Sequence, residues 1–565
     1  MQSQKYDAEP VYAPQGGTVG TGWEICVATL PAGTVTVAVD GPPMTAWERV
    51  VTYVGSALAN ADRAGSILDV RDCYVPWQVF TDRTTGAELV DDPDFAEIAT
   101  ADMAALFDRV PTAVHTPGRV NMVVGPGAAL VEHDVLWFAD LPKRYAEAAI
   151  GAGRGCNLGA GPADGPPTTR RLFYIDWPIL DRHRDGLLAR VDRWVDTQDD
   201  TVTSVDGTTL RATAAWLSER PFRTRPVFNT TPWGGHWAQH RLGVNPDAEN
   251  TALGYELIAP ESGVLVGDRG GARVEIPFAA VVSLHPDAVL GPEVHEEFGT
   301  SFPVRFDYLD TSGGGNLSVH LHPQRDYMRK VFGWPYTQHE TYYVMDTQRD
   351  RKVYLGLREG VDVEQFHDRA HAADAHGEPL DIEQFIQTFP ADLHQLFCIP
   401  AGTPHGSGEG NVILEVSATP YLYSLRFYDW LRRGSSGSQR PVHVEHAFAN
   451  LDVNRRGPNV VRDLVQRPRT LRGGDGWSEE LLGRLPEMFY EVRRVVLQHG
   501  RADLDTDGRF TVLTVVDGSA VRLRAGGLDQ TVTYAETIVV PAAVGSYSLE
   551  ALDGTPARIV AALVP

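Results

Sequence analysis

The chain has 565 residues, of which 43% are hydrophobic and 22% charged, so it is long enough for several domains. This composition excludes wholesale disorder and a fibrous chain. The net charge of −24 at pH 7, with no concentrated basic patch, would repel a phosphate backbone, so we expect no nucleic-acid partner.

The first domain that the sequence predicts, residues 1–150, alternates strand-like with helix-like segments. Apolar strand-like runs lie at 34–39, 66–70, 120–124 and 135–139, and the stretch 46–60 is helix-like. Continuous apolar strands separated by helices indicate a parallel sheet covered on both faces. We therefore predict an α/β domain.

The segment 37–46 lies where a phosphate-binding loop would follow the first strand of this domain. Its surroundings, with 124–130 and 138–143, resemble nucleoside and uridine kinases. The phosphate-binding Lys and the following Ser or Thr are absent, so neither the terminal phosphates nor Mg²⁺ would be held. The resemblance implies a degenerate P-loop-kinase-like domain that binds a nucleotide or sugar as a regulator or only supports its neighbour. Support is the interpretation we favour.

Residues 151–224 read as a Gly/Pro-rich hinge followed by a helical connector. The stretch 151–170 holds six Gly and three Pro, a composition that cannot sustain a helix. Further on, apolar residues recur at helical spacing, namely Leu187, Leu188, Val191, Trp194 and Val195.

Residues 225–470 change to short runs rich in Val, Tyr, Phe and Leu, broken by Gly, Pro and Asp. This pattern is typical of a sandwich, jelly roll or barrel. A helical insert is predicted at 362–394, and insertions of this kind usually border a site. Residues 471–565 again read as short strands, including the run 510–516, and predict a second, smaller β-barrel.

The cysteines and the first residues indicate the cellular compartment of the protein. Four cysteines are widely spaced and include no CxxC pair, which indicates a reducing environment. The first twenty residues lack the basic and apolar regions of a signal peptide, and no apolar run approaches the ~18 residues that span a membrane. We expect a cytoplasmic protein without a membrane partner, and its oligomeric state stays open.

The strongest chemical pattern is a set of three histidines and one glutamate. His320 and His322 are two residues apart on a predicted strand, so both imidazoles project from the same face. Glu340 stands at the head of another apolar strand, and a Pro/Gly turn presents His405. Such a set suits one divalent transition metal, and Zn, Fe, Mn, Co and Ni are all chemically admissible.

The order HxH, Glu and PxGxxH resembles the cupin double-stranded β-helix, a jelly roll, and more narrowly the class I phosphomannose isomerases. Six stretches in the order of that family carry the resemblance: 232–235 (PWGG), 298–305 (FGTSFPVR), 317–323 (LSVHLHP), 353–356 (VYLG), 399–405 (IPAGTPH) and 426–430 (RFYDW). The resemblance implies that His320, His322, Glu340 and His405 hold one divalent ion, with Zn²⁺ the expected metal.

Two positions depart from the family pattern. His320 stands where the family normally has Gln, which makes the ligand set richer in nitrogen and leaves the metal less defined. Gln338 stands where the family has Lys, so a positive charge of that active site is missing and the substrate is less defined.

The resemblance implies an aldose–ketose isomerase that interconverts mannose 6-phosphate and fructose 6-phosphate through a cis-enediol. Glu415 and Arg426 match a Glu and an Arg of the family and are the candidate catalytic residues. From spacing alone, Glu415 is either a base or a substrate anchor, or a structural carboxylate. Arg426 either binds the phosphate bidentately or pairs with Asp429.

Two alternatives remain, and the missing Lys at Gln338 keeps the first of them open. One is a cupin that acts on another sugar, or that activates oxygen with Fe or Mn. The other is a non-catalytic sensor of a phosphorylated sugar.

The remaining histidines have simpler interpretations. His367, His371 and His376 fall in the polar insert and predict a solvated helix face rather than a second metal centre. His339 should point away from Glu340 on its strand. His499 has no histidine partner, so we expect the C-terminal barrel to lack a metal site and to serve in packing or assembly.

Overall fold

The computed structural model describes residues 5–161, 163–434 and 437–565, which form three units along the chain. Pro162, in the predicted hinge, lies outside the described residues. Among the described residues, no helix combines the length and apolar character that a bilayer crossing requires.

The N-terminal unit is an α/β structure. Its strands are β1 (Val11–Tyr12), β2 (Gly20–Thr21), β3 (Val35–Asp40), β4 (Ala64–Asp69), β5 (Val120–Val124), β6 (Val135–Asp140), β7 (Arg193–Asp196) and β8 (Thr203–Asp206). Its helices are α1 (Trp23–Ala28), α2 (Trp47–Asn60), α3 (Trp77–Thr84), α4 (Lys143–Gly151), α5 (Thr169–Arg171), α6 (Trp177–Leu187) and α7 (Gly207–Ser218).

Seven of these strands form one sheet in the order β2-β8-β7-β6-β3-β5-β4. The strands from β7 to β4 are parallel, whereas β8 and β2 are antiparallel additions at one edge. All six residues of β3 are buried, because two hydrophobic clusters cover the two faces of the sheet. The predicted parallel sheet is present.

The predicted boundary at residue 150 divides this single sheet. The segment 151–224, predicted as a hinge and connector, instead supplies β7 and β8 as well as α6 and α7. Trp194 and Val195, read from spacing as helical, lie in β7 and are fully buried. A strand of four residues buried on both faces carries no alternation that distinguishes it from a buried helix turn.

The central unit is a two-sheet β-barrel with peripheral helices. Its strands are β9 (Val227–Asn229), β10 (Leu253–Leu257), β11 (Gly263–Gly267), β12 (Arg273–Pro277), β13 (Val304–Asp310), β14 (Val319–Leu321), β15 (Glu340–Thr347), β16 (Lys352–Leu357), β17 (Ile386–Pro390), β18 (Leu396–Ile399), β19 (His405–Ser407), β20 (Asn411–Ala418) and β21 (Leu425–Tyr428). Its helices are α8 (Phe278–Leu284), α9 (Pro286–Leu290), α10 (Pro292–Phe298), α11 (Arg325–Tyr327), α12 (Val363–His376), α13 (Val444–Asn450) and α14 (Pro458–Asp463).

One sheet of the barrel has the order β18-β15-β20-β13-β10-β9, and the facing sheet has the order β17-β16-β19-β14-β21. The N-terminal strand β1 joins β11 and β12 in a separate small sheet. The predicted insert 362–394 is helical only in its first half, as α12. Ile386 and Phe389 lie in β17, which pairs with β16.

The C-terminal unit is a second β-barrel, as predicted. Its strands are β22 (Arg469–Gly474), β23 (Trp477–Gly483), β24 (Glu491–Leu497), β25 (Arg501–Asp505), β26 (Thr511–Asp517), β27 (Ala520–Ala525), β28 (Leu528–Thr533), β29 (Thr537–Val540), β30 (Ser546–Ala551) and β31 (Ala557–Leu563). They form sheets of six and four strands.

The three units share one core. A single hydrophobic cluster includes Leu210 of the N-terminal unit, Phe306 of the central barrel and Val560 of the C-terminal barrel. Between the first two units, the buried Arg223 lies 2.7 Å from Glu536 and 3.7 Å from Glu256, which belong to the two barrels. The end of the segment 151–224, which was predicted as a hinge and connector, is therefore packed against both barrels.

Candidate metal centre

The barrel brings together the four predicted ligands from three strands. β14 and β19 are paired with His320 opposite His405, so these two side chains share one face. His322 follows two residues after His320, and Glu340 begins β15 in the facing sheet. We call the end of the barrel where β14 ends and where β15 and β19 begin the metal end.

A glycine turn sets the position of His405. Gly402 has a φ of 84°, which is unfavourable for a residue with a Cβ, and an added Cβ would lie 2.9 Å from the Asn450 carbonyl oxygen. Its amide donates to the carbonyl oxygen of His322 at 2.9 Å. The turn thus ties the two ligand strands to each other.

The ligand atoms of His320, His322, Glu340 and His405 all lie within 4.8 Å of one another, and the four side chains are buried. The ring centroids of His320 and His405 are 4.4 Å apart, and both other histidine pairs lie within 5.3 Å. One ion can contact all four residues in this arrangement.

The backbone selects which ring nitrogen faces the cluster. Nδ1 of His320 lies 2.9 Å from the Ser318 carbonyl oxygen, and Nδ1 of His405 lies 2.9 Å from that of Thr403. A carbonyl oxygen can only accept, so each Nδ1 carries the proton and each Nε2 presents a lone pair. This is the tautomer that binds a metal ion through Nε2.

The contact between His405 and Glu340 tests whether a cation fits. Nε2 of His405 is buried without a hydrogen-bond partner, yet it lies 2.6 Å from Oε2 of Glu340. With Nδ1 already protonated, both atoms are acceptors and would repel at this distance. A divalent cation bound to both atoms resolves this repulsion, so the residues present fit a metal ion.

Burial and neighbouring charges favour the metal-binding protonation states. Burial, reinforced by the two neighbouring imidazoles, lowers the pKa of His320 well below its ordinary value, so the ring is neutral. Burial would raise the pKa of Glu340, but His322, Glu415 and His405 together hold it well below its usual range. Burial likewise lowers the pKa of His322, so the neutral, metal-binding form of His320 and of His322 is favoured beside the carboxylate of Glu340.

Glu415 lies beside this cluster, as predicted. Burial, opposed by Arg305 and reinforced by Asp307 and Glu340, raises the pKa of Glu415 well above its usual range, and the two glutamates share a hydrogen bond. The carboxyl of Glu415 also accepts from Arg305 and, at 2.9 Å, from the hydroxyl of Ser417. Glu415 therefore keeps its proton and can donate it to Glu340.

Arg305 is the residue that sequence reasoning missed. It was recognised only as part of a motif, yet its guanidinium is buried and lies 3.7 Å from both Asp307 and Glu340. Oε1 of Gln338 accepts from Arg305 at 2.9 Å, in the amide orientation that satisfies its neighbours. A buried cation thus accompanies the carboxylates of the site although the family Lys is absent. The alternation of β13 could have indicated that residues 305 and 307 share a face.

Arg426 occupies a different environment. Its backbone is paired with His320, but its guanidinium donates to the carbonyl oxygen of Pro441 at 3.1 Å. The charged groups that act on it are Arg440, Asp429 and Asp94, and burial lowers its pKa. No contact described for Arg426 joins its side chain to the metal ligands, so its phosphate-binding role stays a prediction.

The other histidines lie apart from this centre. His339 accepts from the amide of Ala401 at 3.2 Å and is not a ligand, in agreement with its predicted direction. His367 and His371 contact Glu445 at the solvent-facing side of α12, and these three residues could also hold an ion. Among the described residues, the C-terminal barrel contains no group of metal-ligating side chains.

In the N-terminal unit, the segment 37–46, predicted at the place of a phosphate-binding loop, contains a carboxylate that binds the nearby backbone amides. Oδ1 of Asp40 accepts from the amides of Gly41 and Gly127 at 2.7 and 3.1 Å, and Oδ2 accepts from that of Ala129 at 2.8 Å. Nε2 of His183 lies 2.8 Å from the same Oδ2. Backbone amides that could cradle a phosphate are therefore occupied by a carboxylate of the protein itself.

Comparisons with known proteins find one family match and several relatives. Residues 22–219 match the family described as Domain of unknown function (DUF8485). The chain is 25% identical over 336 residues to the probable mannose-6-phosphate isomerase GmuF of Bacillus subtilis (strain 168), covering 58% of this chain and 96% of the relative. It is 26% identical over 227 residues to the mannose-6-phosphate isomerase of Streptococcus mutans serotype c, covering 40% of this chain and 65% of the relative.

A comparison with solved structures also finds a mannose 6-phosphate isomerase. The crystal structure of the mannose 6-phosphate isomerase from Bacillus subtilis matches with a TM-score of 0.50 at 20% identity, covering 61% of this chain and 99% of that chain. This chain is therefore homologous to mannose-6-phosphate isomerases in sequence and shares their cupin fold.

Proposed function

We propose that the protein is a metal-dependent isomerase that interconverts mannose 6-phosphate and fructose 6-phosphate through a cis-enediol. The observation that carries this proposal is the 2.6 Å contact between two acceptors, His405 Nε2 and Glu340 Oε2, inside a buried cluster of three His and one Glu. The relatives reported above are isomerases by name and give no support to an oxygenase or a sensor.

His320, His322, Glu340 and His405 would hold the ion, and their donor set of three nitrogens and one carboxylate suits Zn²⁺. A bound divalent ion supplies a Lewis acid for the oxygen atoms of the sugar. Thr403 and Ser318 keep the imidazoles of His405 and His320 in the ligand tautomer through their carbonyl oxygens.

The protein must also move a proton between C1 and C2 of the sugar. Glu415 is our candidate, because burial raises its pKa well above the usual range, so that this carboxylate accepts a proton more readily than an ordinary glutamate and can return it. Arg305 supports it by keeping the carboxyl in place and by balancing the negative charge of Glu340 and Asp307. The family resemblance implies that Arg426 binds the phosphate, but its guanidinium contacts Pro441 and, among the described residues, none of the metal ligands.

The test is a coupled assay for conversion of mannose 6-phosphate to fructose 6-phosphate with zinc-reconstituted protein. We compare the wild type with His405→Ala and with His376→Ala, which removes an exposed histidine of α12. Metal content is measured in parallel, and His371→Ala removes any ion bound at the exposed cluster with Glu445.

We expect turnover with one buried equivalent of zinc, both lost in His405→Ala and both kept in His376→Ala. A wild type that holds zinc in the buried site but does not isomerise mannose 6-phosphate would refute the substrate assignment. Consumption of oxygen by iron-loaded protein would instead support the oxygenase.

A further inference from the structure

A cavity of about 450 Å³ lies between the N-terminal unit and the metal end of the barrel. Lys143, Trp177 and Arg182 contribute from the N-terminal unit, whereas Arg325, Trp334 and Tyr421 contribute from the barrel. Its volume lies within the range of small-molecule sites, and its walls combine aromatic rings with a few charged groups.

One loop in the barrel wall of this cavity also contacts a metal ligand. Residues 419–423, between β20 and β21, line the cavity. Within that loop, the carbonyl oxygen of Tyr423 lies 3.3 Å from Nδ1 of His322, and that of Pro420 accepts from the amide of Gln338 at 2.5 Å. The cavity therefore adjoins the metal centre.

The N-terminal wall is fixed to the barrel by direct contacts. Tyr174 donates its hydroxyl to the carbonyl oxygen of Leu422 at 2.9 Å, and the amide of Ile98 donates to that of Phe332 at 2.9 Å. Arg144 of α4 forms an ion pair with the buried Glu275 at 2.7 Å. These contacts hold both walls in place without a ligand.

Among the described charged groups that line the cavity, the guanidinium groups of Arg182 and Arg325 are not paired with a carboxylate and can bind an anion. Asp181 is paired with Lys143 at 2.6 Å and with Arg184 at 3.0 Å. Within the described part of the chain, the guanidinium of Arg182 donates only to the carbonyl oxygens of Ala99 and Ala101, and the residue is exposed.

Arg325, on the opposite wall, is also exposed, and its guanidinium has no hydrogen bond or ion pair with any described residue. One lining carboxylate, Glu297, is likewise without a described cation partner.

We propose that the N-terminal unit completes the substrate cavity of the isomerase, and that Arg182 and Arg325 together bind the anionic end of a sugar phosphate. Arginine suits this role because its planar fork of N–H donors matches phosphate oxygens. The inference rests on the proposed function for the choice of ligand. It assigns to residues 22–219 a direct part in substrate recognition.

The experiment measures three quantities for mannose 6-phosphate: KM and kcat by the coupled assay, and Kd by calorimetry. The variants are Arg182→Ala, Arg182→Lys, Arg325→Ala and Glu297→Gln. Arg190→Ala is the matched control, because Arg190 is an exposed arginine of the same unit that does not line the cavity. Thermal unfolding of each variant checks that it is folded.

We expect Arg182→Ala and Arg325→Ala each to raise KM and Kd by roughly 10- to 100-fold with a smaller effect on kcat, as for loss of a charged hydrogen bond. Arg182→Lys should restore part of the affinity, Arg190→Ala should match the wild type, and Glu297→Gln should lower KM. Neutral mannose should bind the wild type and both alanine variants equally weakly.

The outcomes separate this inference from the proposed function. Wild-type turnover with unchanged KM and Kd in both alanine variants would overturn the cavity assignment and leave the isomerase intact. Binding without turnover, lost in the same variants, would support the cavity and refute the isomerase. A wild type that neither binds nor converts mannose 6-phosphate would overturn both.

Discussion

Glu415 illustrates how one buried side chain depends on its neighbours. It lies among Arg305, Ser417 and Glu340, and its raised pKa means that the side chain is a neutral acid in this setting. A neutral acid and an amide have nearly the same shape, so the two can be exchanged with little change in packing. A change to a small apolar side chain would remove one hydrogen bond of the buried Arg305 and leave a cavity.

We therefore predict different outcomes for two substitutions of Glu415. Glu415→Gln should keep the fold and the metal but reduce kcat by at least 100-fold, because an amide cannot shuttle a proton; general acid–base groups typically contribute about 10²–10⁴-fold. Glu415→Ala should lower the free energy of unfolding by roughly 2–4 kcal/mol, because it removes a hydrogen bond of Arg305 and leaves a cavity. Denaturant unfolding and steady-state kinetics measure the two effects. A fully active Glu415→Gln enzyme would contradict the proton-transfer role.

The metal ligands could be predicted from sequence because each one sits in a short local pattern. His320 and His322 follow strand alternation, and the turn that presents His405 needs Gly402. Arg305 and the cavity could not be predicted in this way. Their partners come from strands and loops that are distant in sequence, and only the folded barrel brings them together.

At the level of elements, α4 shows how the N-terminal unit meets the barrel. Lys143 and Arg144, at its start, form ion pairs, whereas the half-buried Glu147 faces the buried Glu261. Burial, together with the charge of Glu261, raises the pKa of Glu147 to about 7. When Glu147 is ionised, α4 therefore places an unfavourable negative charge at its contact with the barrel.

This arrangement predicts a pH-dependent stability. The folded pKa of Glu147 exceeds its unfolded value of about 4.3, so its contribution is intact below pH 4.3 and is lost as the pH rises through about 7. Glu147→Gln should therefore equal the wild type near pH 4 and exceed it at pH 8 by roughly 1–2 kcal/mol, after allowance for solvent screening. Urea unfolding at both pH values tests this, and an equal difference at both would contradict it.

Some strands of the N-terminal sheet could be predicted from the sequence, whereas β7 could not. The strands β3, β5 and β6 were predicted from continuous apolar runs, and the structure confirms them. β7 was read as helix because its four residues follow the apolar repeat of α6 without a turn signal. Strand pairing with β6 decides the conformation here, and pairing is a long-range property.

At the scale of the whole molecule, Arg223 holds three parts of the chain together. It pairs with Glu536 of the C-terminal barrel, lies 3.7 Å from Glu256 of the central barrel and donates to the carbonyl oxygen of Asp7 at 2.8 Å. All of these partners meet around one buried guanidinium. The shared hydrophobic core adds apolar contact among the same units.

We predict that Arg223→Ala destabilises the whole protein rather than one unit. Loss of one partner from a buried ionic cluster costs roughly 3–5 kcal/mol, because the remaining carboxylates stay buried without a cation. Calorimetry should show a single transition at lower temperature. Arg269→Ala, which removes an exposed partner of Asp7, should change the transition little. Two separate transitions in Arg223→Ala would contradict a shared core.

The contact between the first residues and the C-terminal barrel has a consequence for the order in which contacts form during synthesis. The amide of Asp7 is bound by the carboxylate of Glu536, 529 residues further along the chain, and β1 is completed by β11. At roughly 5–20 residues per second, the ribosome delivers Glu536 about half a minute to two minutes after Asp7. Throughout that interval the amide of Asp7 lacks this partner, so its contact with the C-terminal barrel is among the last to form.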